Sequence, residues 1–229
     1  MIGCSLCGWN DLSVYKSEDK FKYFIQKIQG NFSLYELPIL FNTEKYCKFL
    51  SSFDIPIYSF HASKGLWSKE RAYIQDYLFA VVELTNRLRV SNVVIHFPYN
   101  LSPHKLRLII SILKEKVSFE NTSPAFWGNT SLYQTLSCTI DSAHARYQKQ
   151  FGYIFSNHLN ISHFHIRGYS RTINYVPLAE DTSSMTRFIK YAYLKYKDSP
   201  LILEYPYHDI SQALYDKHIC EQIINLAKE

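Results

Sequence analysis

The sequence predicts an α/β protein, a single-domain (β/α)8 TIM barrel spanning residues 1–229, and three observations predict it. Short apolar, β-branched or aromatic runs alternate with longer segments of helical period, which is the pattern of βα units around a parallel sheet. Eight such units can be counted in the 229 residues, leaving no room for a second domain of ordinary size. Six of the eight strand candidates end on or beside a carboxylate or an imidazole, and the carboxyl ends of the strands are where a barrel of this kind gathers its active site.

In chain order the strands are expected at Ile2 to Leu6, Phe32 to Leu37, Ile55 to Phe60, Asn92 to His96, Val117 to Glu120, Cys138 to Asp141, Ile161 to Ile166 and Leu201 to Glu204. Helices are expected between them at Lys16 to Ile28, Thr43 to Leu50, Ser68 to Leu88, Ser102 to Lys114, about Thr130 to Leu136, Ala145 to Ser156, Ser183 to Lys195 and Ile210 to Lys228. Ser68, Ser102 with Pro103, and Asp209 supply N-cap oxygens or a first-turn proline, where free backbone N–H groups need partners. The longest stretch without evident secondary structure is Arg167 to Asp181.

Composition fits a folded chain. Hydrophobic residues make up 47% and aromatics 16%, while 7 Gly and 8 Pro leave little for flexible linkers. No apolar run is long enough to span a bilayer and the start lacks a secretion signal, so a cytoplasmic location is expected. The 5 cysteines form no framework, and the Cys4-x-x-Cys7 pair reads as part of the first strand. The net charge of +5 comes from dispersed basic residues; it permits a phosphorylated small molecule as readily as nucleic acid.

The strand ends carry the chemistry: Phe60-His61, Ile95-His96, Phe119-Glu120, Ile140-Asp141, Phe164-His165 and Leu203-Glu204. Each apolar stretch delivers into the barrel mouth a group that costs several kcal/mol to bury unless a partner or a metal compensates it. Convergence of these groups on one site provides that compensation. Carboxylates with imidazoles suit Mn2+, Mg2+, Co2+ or Zn2+, and no thiolate ligand is implied.

The ordered series Glu120-Asn121, Asp141-x-x-His144, His163-x-His165 and Leu203-Glu204-Tyr205-Pro206 resembles the xylose-isomerase-like TIM barrel superfamily. That superfamily includes sugar and sugar-phosphate isomerases and epimerases and the apurinic-site endonuclease IV family. Phe60-His61-Ala62-Ser63 and Val93-Val94-Ile95-His96-Phe97-Pro98 continue the resemblance after strands three and four, so that it runs over nearly the whole chain. It implies that Glu120, Asp141, His165 and Glu204 form the shared metal site, with His144 contacting substrate or a second metal. His61 and His96, bridged by Glu120, match a further metal site of the endonuclease branch; in the isomerases these positions commonly contact substrate instead.

The sequence departs from the endonuclease pattern after strand seven. There Asn174-Tyr175-Val176-Pro177-Leu178 stands where that branch has an Asp-x-His pair for a third zinc, which disfavours DNA incision. The same loop holds Arg167 and Arg171, suited to clamping an anion. Trp67 and Trp127 are placed to pack on a sugar ring or to cap the barrel mouth. The expected function is a divalent-metal-dependent isomerase or epimerase of a small sugar, sugar phosphate or related hydroxy-carbonyl compound. Glu120 and Glu204 would be its catalytic proton-transfer groups, acting through a metal-stabilised enediolate, with one ion or two. The alternatives are a metal-dependent phosphodiesterase of the endonuclease IV type and a non-catalytic barrel. A homo-oligomer is compatible with the resemblance, whereas nucleic acid and membrane partners are not expected.

Overall fold

The apolar runs form strands, and the strands close on themselves. The computed structural model describes residues 1–7, 18–39, 43–62, 65–100, 102–171, 174–204, 207 and 209–229. In chain order its elements are β1 (Ile2–Ser5), α1 (Glu18–Ile28), β2 (Leu34–Pro38), α2 (Thr43–Leu50), β3 (Ile57–His61), α3 (Arg71–Leu88), β4 (Asn92–His96), α4 (Pro103–Leu113), β5 (Val117–Glu120), β6 (Ser137–Asp141), α5 (Ser142–Tyr147), α6 (Phe151–Ser156), β7 (Ile161–Ile166), β8 (Gly168–Ser170), β9 (Asn174–Val176), α7 (Thr182–Lys195), β10 (Leu201–Leu203) and α8 (Ile210–Asn225). Strands β1 to β7 and β10 form a closed parallel barrel in which β10 pairs with both β7 and β1. The chain is thus a single-domain (β/α)8 barrel.

Alternation along each strand separates two environments. Tyr35, Leu37, Phe60, Val93, Ile95, Phe119, Cys138, Ile140, Phe164 and Ile166 are buried in one apolar cluster with the helices. Phe21, Ile25 and Ile28 of α1, Ile74, Leu78 and Val81 of α3, and Phe188 and Ile189 of α7 complete that layer. The other set is polar: Ser5, Glu36, Ser59, His61, Ser118, Glu120, Thr139, Asp141, His163 and His165 are all buried. A barrel interior is usually filled by layers of branched aliphatic residues. Here hydroxyls, carboxylates and imidazoles fill it, which is tolerable only because they bond to one another.

Two irregularities place these groups. The β2–β3 register shifts so that Tyr35 faces Ile57 and Glu36 faces Ser59, making Tyr58 an extra residue. The β6–β7 register shifts likewise, with Cys138 opposite Ile161 and Thr139 opposite His163, making Ser162 extra. The two extra residues meet across the barrel: Tyr58 donates its hydroxyl to the Ser162 carbonyl at 2.8 Å, and its ring lies edge-on to His163 at 5.4 Å. Beside them Gly3 is obligatory, because a Cβ there would sit 2.9 Å from the Leu34 carbonyl oxygen. Gly3→Ala is therefore expected to destabilise the protein by about 1–3 kcal/mol in thermal or denaturant unfolding.

Several boundaries differ from the sequence expectation. The segment expected as a helix near Thr130 is a 3-10 helix, Pro124–Gln134, interrupted at Asn129 with φ −116°. The single helix expected over Ala145 to Ser156 is two, because Lys149 adopts φ 57° between them. Ser68 belongs to a 3-10 turn, and α3 starts at Arg71 after Glu70 with no side-chain cap. Ser102 and Asp209 do cap their helices, accepting from the N–H groups of Lys105 and Gln212. The stretch Arg167 to Asp181, expected to lack secondary structure, holds the β8–β9 hairpin and a 3-10 turn, Leu178–Asp181. That loop is anchored: buried Asp216 of α8 accepts from the N–H groups of Leu178 and Ala179 and from the Tyr207 hydroxyl. Lys16, the expected start of the first helix, and Ser63, Tyr205 and Pro206 of the strand-end motifs lie outside the described residues. No helix among the described residues is long and apolar enough to cross a membrane.

Candidate metal centre

Each candidate ligand is delivered by a strand and aimed by a neighbour. Asn121, following Glu120, accepts from the Asp141 N–H at 2.6 Å and donates to the Asp141 carbonyl at 3.1 Å, fixing that strand end. Asp141 uses Oδ1 to cap α5, accepting from the His144 N–H at 2.7 Å, and so turns Oδ2 toward the barrel mouth. Glu204 follows β10 directly, its N–H bonded to the Ile166 carbonyl.

The four residues expected to hold a metal come together. One ligand atom from each of Glu120, Asp141, His165 and Glu204 lies within 4.8 Å of the others. Around an ion with ligands at about 2.0–2.2 Å, opposed ligand atoms lie about 4 Å apart, so small contractions complete the set. Asp141 Oδ2, His165 Nδ1 and Glu204 Oε2 are buried without a hydrogen bond of proper geometry among the described residues. His165 Nδ1 lies 3.2 Å from Glu204 Oε2 and 3.5 Å from Glu120 Oε1, and Arg167 Nη2 lies 2.6 Å from Asp141 Oδ2. Such contacts supply charge but leave the lone pairs undirected. Three unsatisfied buried atoms on three converging residues fit a divalent cation.

A second set shares Glu120. His61 Nε2 and His96 Nε2 lie 3.3 and 3.0 Å from Glu120 Oε2, while Oε1 turns toward His165. The two carboxylate oxygens therefore face different imidazole groups, as a bridging ligand requires, and one ligand atom from each of His61, His96 and Glu120 lies within 4.8 Å of the others.

The site's electrostatics are strongly biased. Burial alone would raise the Glu120 carboxyl, but the imidazoles of His96, His165 and His61 gathered around it override burial and hold it well below the usual range. Glu204 is opposed by burial in the same way, and His165 and Arg167 bring it down to about 2. Burial would lower His61, yet the Glu120 bond and the Glu36 charge raise it to about 9. His165 is likewise pushed well above its ordinary value by the charges of Glu36 and Glu204 against the burial penalty. Burial lowers His96. Without an ion, two imidazolium groups and Arg167 thus stand where a cation's charge is wanted. Burial and the negative charge of Glu36 push the Cys7 thiol well up.

A cavity of about 550 Å³ opens onto the centre. Glu120, Glu204, His96, His144, Arg167 and Trp67 are among its lining residues. Trp67 donates its indole N–H to the His96 carbonyl at 2.6 Å. Trp127 instead packs on Phe126 and Tyr153 and donates to Gln148, away from the cavity lining. Arg171 is exposed at the turn of the β8–β9 hairpin and also lies outside that lining. Arg167 reaches the cavity while engaging Asp141 and, at 3.5 Å, Glu204. Val176 is buried at its pairing with Gly168, so this position offers no third metal ligand.

Sequence reasoning passed over one residue of the centre. Glu36 is completely buried and contacts both His163 and His165. The available signal was its place between Tyr35 and Leu37, where alternation sends the carboxylate inward. The rule applied to the other residues looked at strand ends, and Glu36 lies two residues before the end of β2.

No family model and no curated protein matches the sequence. Among solved structures, a D-tagatose 3-epimerase-like protein is similar over 99% of this chain and 98% of its own, with a TM-score of 0.71 at 14% identity. Endonuclease IV from Thermus thermophilus is similar over 98% of both chains, with a TM-score of 0.64 at 15% identity. A xylose isomerase domain containing protein from Salmonella typhimurium is similar over 100% of this chain and 97% of its own, with a TM-score of 0.62 at 10% identity. These likenesses show the fold, a (β/α)8 barrel shared with these structures over nearly the whole chain, and a fold does not by itself imply a function.

Proposed function

We propose that this xylose-isomerase-like barrel is a divalent-metal-dependent isomerase or epimerase of a small sugar, sugar phosphate or related hydroxy-carbonyl compound. The observation that carries the reading is the cavity: at about 550 Å³ it is sized for a small molecule, and both Glu120 and Glu204 line it. Glu120, Asp141, His165 and Glu204 would hold the ion. Bound there, it supplies Lewis acidity toward neighbouring oxygens of the substrate. Glu120 and Glu204 reach the centre from strands on different sides of the barrel and are held ionised at neutral pH. One of them removes a proton from carbon, and the same or the other returns it. His96, His144 and Trp67 shape the remaining wall.

The test is solvent exchange. In D2O, with aldoses, ketoses and their phosphates and with Mn2+, Co2+, Mg2+ or Zn2+ supplied, one substrate C–H is expected to exchange for deuterium. Exchange should vanish in Glu204→Gln, and undiminished exchange in that variant would rule out its acid-base role. A second reading, a metal-dependent phosphodiesterase, is favoured by the approach of His61 and His96 to one oxygen of Glu120. Salt-sensitive cleavage of an abasic duplex, without any C–H exchange, would select it.

A further inference from the structure

We propose that Glu36 is a positioning residue for the metal centre: it holds the Nε2–H of His165 so that Nδ1 faces the ion. The inference rests on the metal-centre reading above and deepens it.

The hydrogen bonds of Glu36 form a complete set. Ser5 donates its hydroxyl to Oε1 at 2.9 Å and Ser59 donates to Oε2 at 2.8 Å. His163 Nε2 lies 3.3 Å from Oε2, and His165 Nε2 lies 3.1 Å from Oε1 and 3.2 Å from Oε2. An ionised carboxylate offers about four lone-pair sites, and four donors arrive. His163 fits this pattern, because its Nδ1 lies 2.9 Å from the Ser162 hydroxyl, which can donate to it and leave the ring proton on Nε2.

The consequence falls on His165. His165 Nε2 lies 3.2 Å from His163 Nε2 as well as 3.1 Å from Glu36; with its proton held by the carboxylate, the stronger acceptor, the ring's other nitrogen is the one turned to Glu204 and Glu120, at 3.2 and 3.5 Å. That nitrogen has no hydrogen bond of proper geometry among the described residues. A carboxylate behind a metal-bound imidazole fixes its tautomer and ring orientation and increases its basicity toward the ion. The register shift between β2 and β3 makes this geometry, since it brings the Ser59 hydroxyl level with Glu36.

A competing assignment exists. Glu36, His61, His165 and Glu204 also bring ligand atoms within 4.8 Å of one another, which would make Glu36 a ligand of a deeper ion. Its occupied lone pairs argue against this, because coordination would require displacing at least one of the hydroxyl or imidazole donors.

Zn2+ titration of the metal-stripped full-length chain, together with 15N NMR of histidine side chains, tests the assignment. Glu36→Gln is expected to weaken Zn2+ binding ~10–100-fold with unchanged stoichiometry, and Glu36→Asp to restore part of the loss. A slowly exchanging imidazole N–H assigned to His165 Nε2 is expected in the parent protein with and without Zn2+ and is expected to disappear in Glu36→Gln. If Glu36→Gln does not fold, Ser59→Ala, which removes one donor and keeps the carboxylate, is expected to weaken binding by a smaller factor and to shift the same resonance. Unchanged affinity together with an unchanged resonance overturns the proposal, and so does loss of a whole ion per chain. A parent protein that takes up no Zn2+ overturns the metal centre itself, and the resonance then decides whether Glu36 holds His165.

Discussion

Glu120→Gln is expected to leave the purified protein unable to retain a divalent ion and to cost the metal-free fold about 3–5 kcal/mol, the usual penalty for removing one partner of a buried charged set. Glu120 is 1% exposed and lies near three imidazoles, His61, His96 and His165. The amide has the same shape, but it carries no charge and presents N–H donors where two of those rings need an acceptor. Its loss removes a ligand from both ion sets that contain it, and the deeper set around Glu36 cannot compensate because that carboxylate is occupied by Ser5, Ser59, His163 and His165. Metal analysis by mass spectrometry and thermal unfolding measure the two effects. For a chain of this size, the stability loss corresponds to a fall in Tm on the order of 10 °C. Retention of a full equivalent of metal by this variant would exclude Glu120 as a ligand.

The second large effect is an opposite pH response of the metal-free and metal-loaded forms. His61 is raised from 6.5 to about 9, so the stability it gives the metal-free protein is complete below pH 6.5 and is lost as pH rises through 9. Glu204 is lowered from 4.5 to about 2, so its contribution is present above pH 4.5 and is lost as pH falls through 2. From these two groups, metal-free stability is greatest between pH 4.5 and 6.5 and declines toward alkaline pH. An ion competes with the same protons, because imidazole ligands bind it only when deprotonated. Metal affinity, and with it the stability gained on loading, is therefore expected to rise over pH 6.5 to 9 while the metal-free protein weakens. Thermal unfolding of both forms across that range measures this; parallel slopes would show that the ion does not displace those protons.

The fold was legible because its signals are local and repeated. All eight barrel strands lie within two residues of where alternation and apolar runs put them at both ends, Ile2–Ser5 and Asn92–His96 among them. Glu120, Asp141, His165 and Glu204 were legible because a barrel puts strand ends together, and they do converge. What escaped has physical reasons. The register shifts at Tyr58 and Ser162 carry no glycine and no special turn residue, since any L residue adopts a bulge. Glu36 sits inside Leu-Tyr-Glu-Leu-Pro, where a single carboxylate among apolar neighbours reads as exposed until the barrel closes around it. The β8–β9 hairpin lacks an Asn-Gly or Asp-Gly turn; Asp181 accepts from its Tyr169 N–H, and distant Asp216 of α8 anchors the 3-10 turn that follows it. Arg171 and Trp127 were named for the kind of side chain they carry, and their backbone positions direct them away from the cavity lining.

The central claim is that Glu120, Asp141, His165 and Glu204 together hold one divalent ion. Anomalous diffraction from crystals soaked in Mn2+ or Zn2+ tests it most directly. The expected result is a peak within bonding distance of Glu120, Asp141 Oδ2, His165 Nδ1 and Glu204, with Arg167 drawn off Asp141. A barrel mouth without such a peak at saturating metal, with Arg167 still against Asp141, would contradict it.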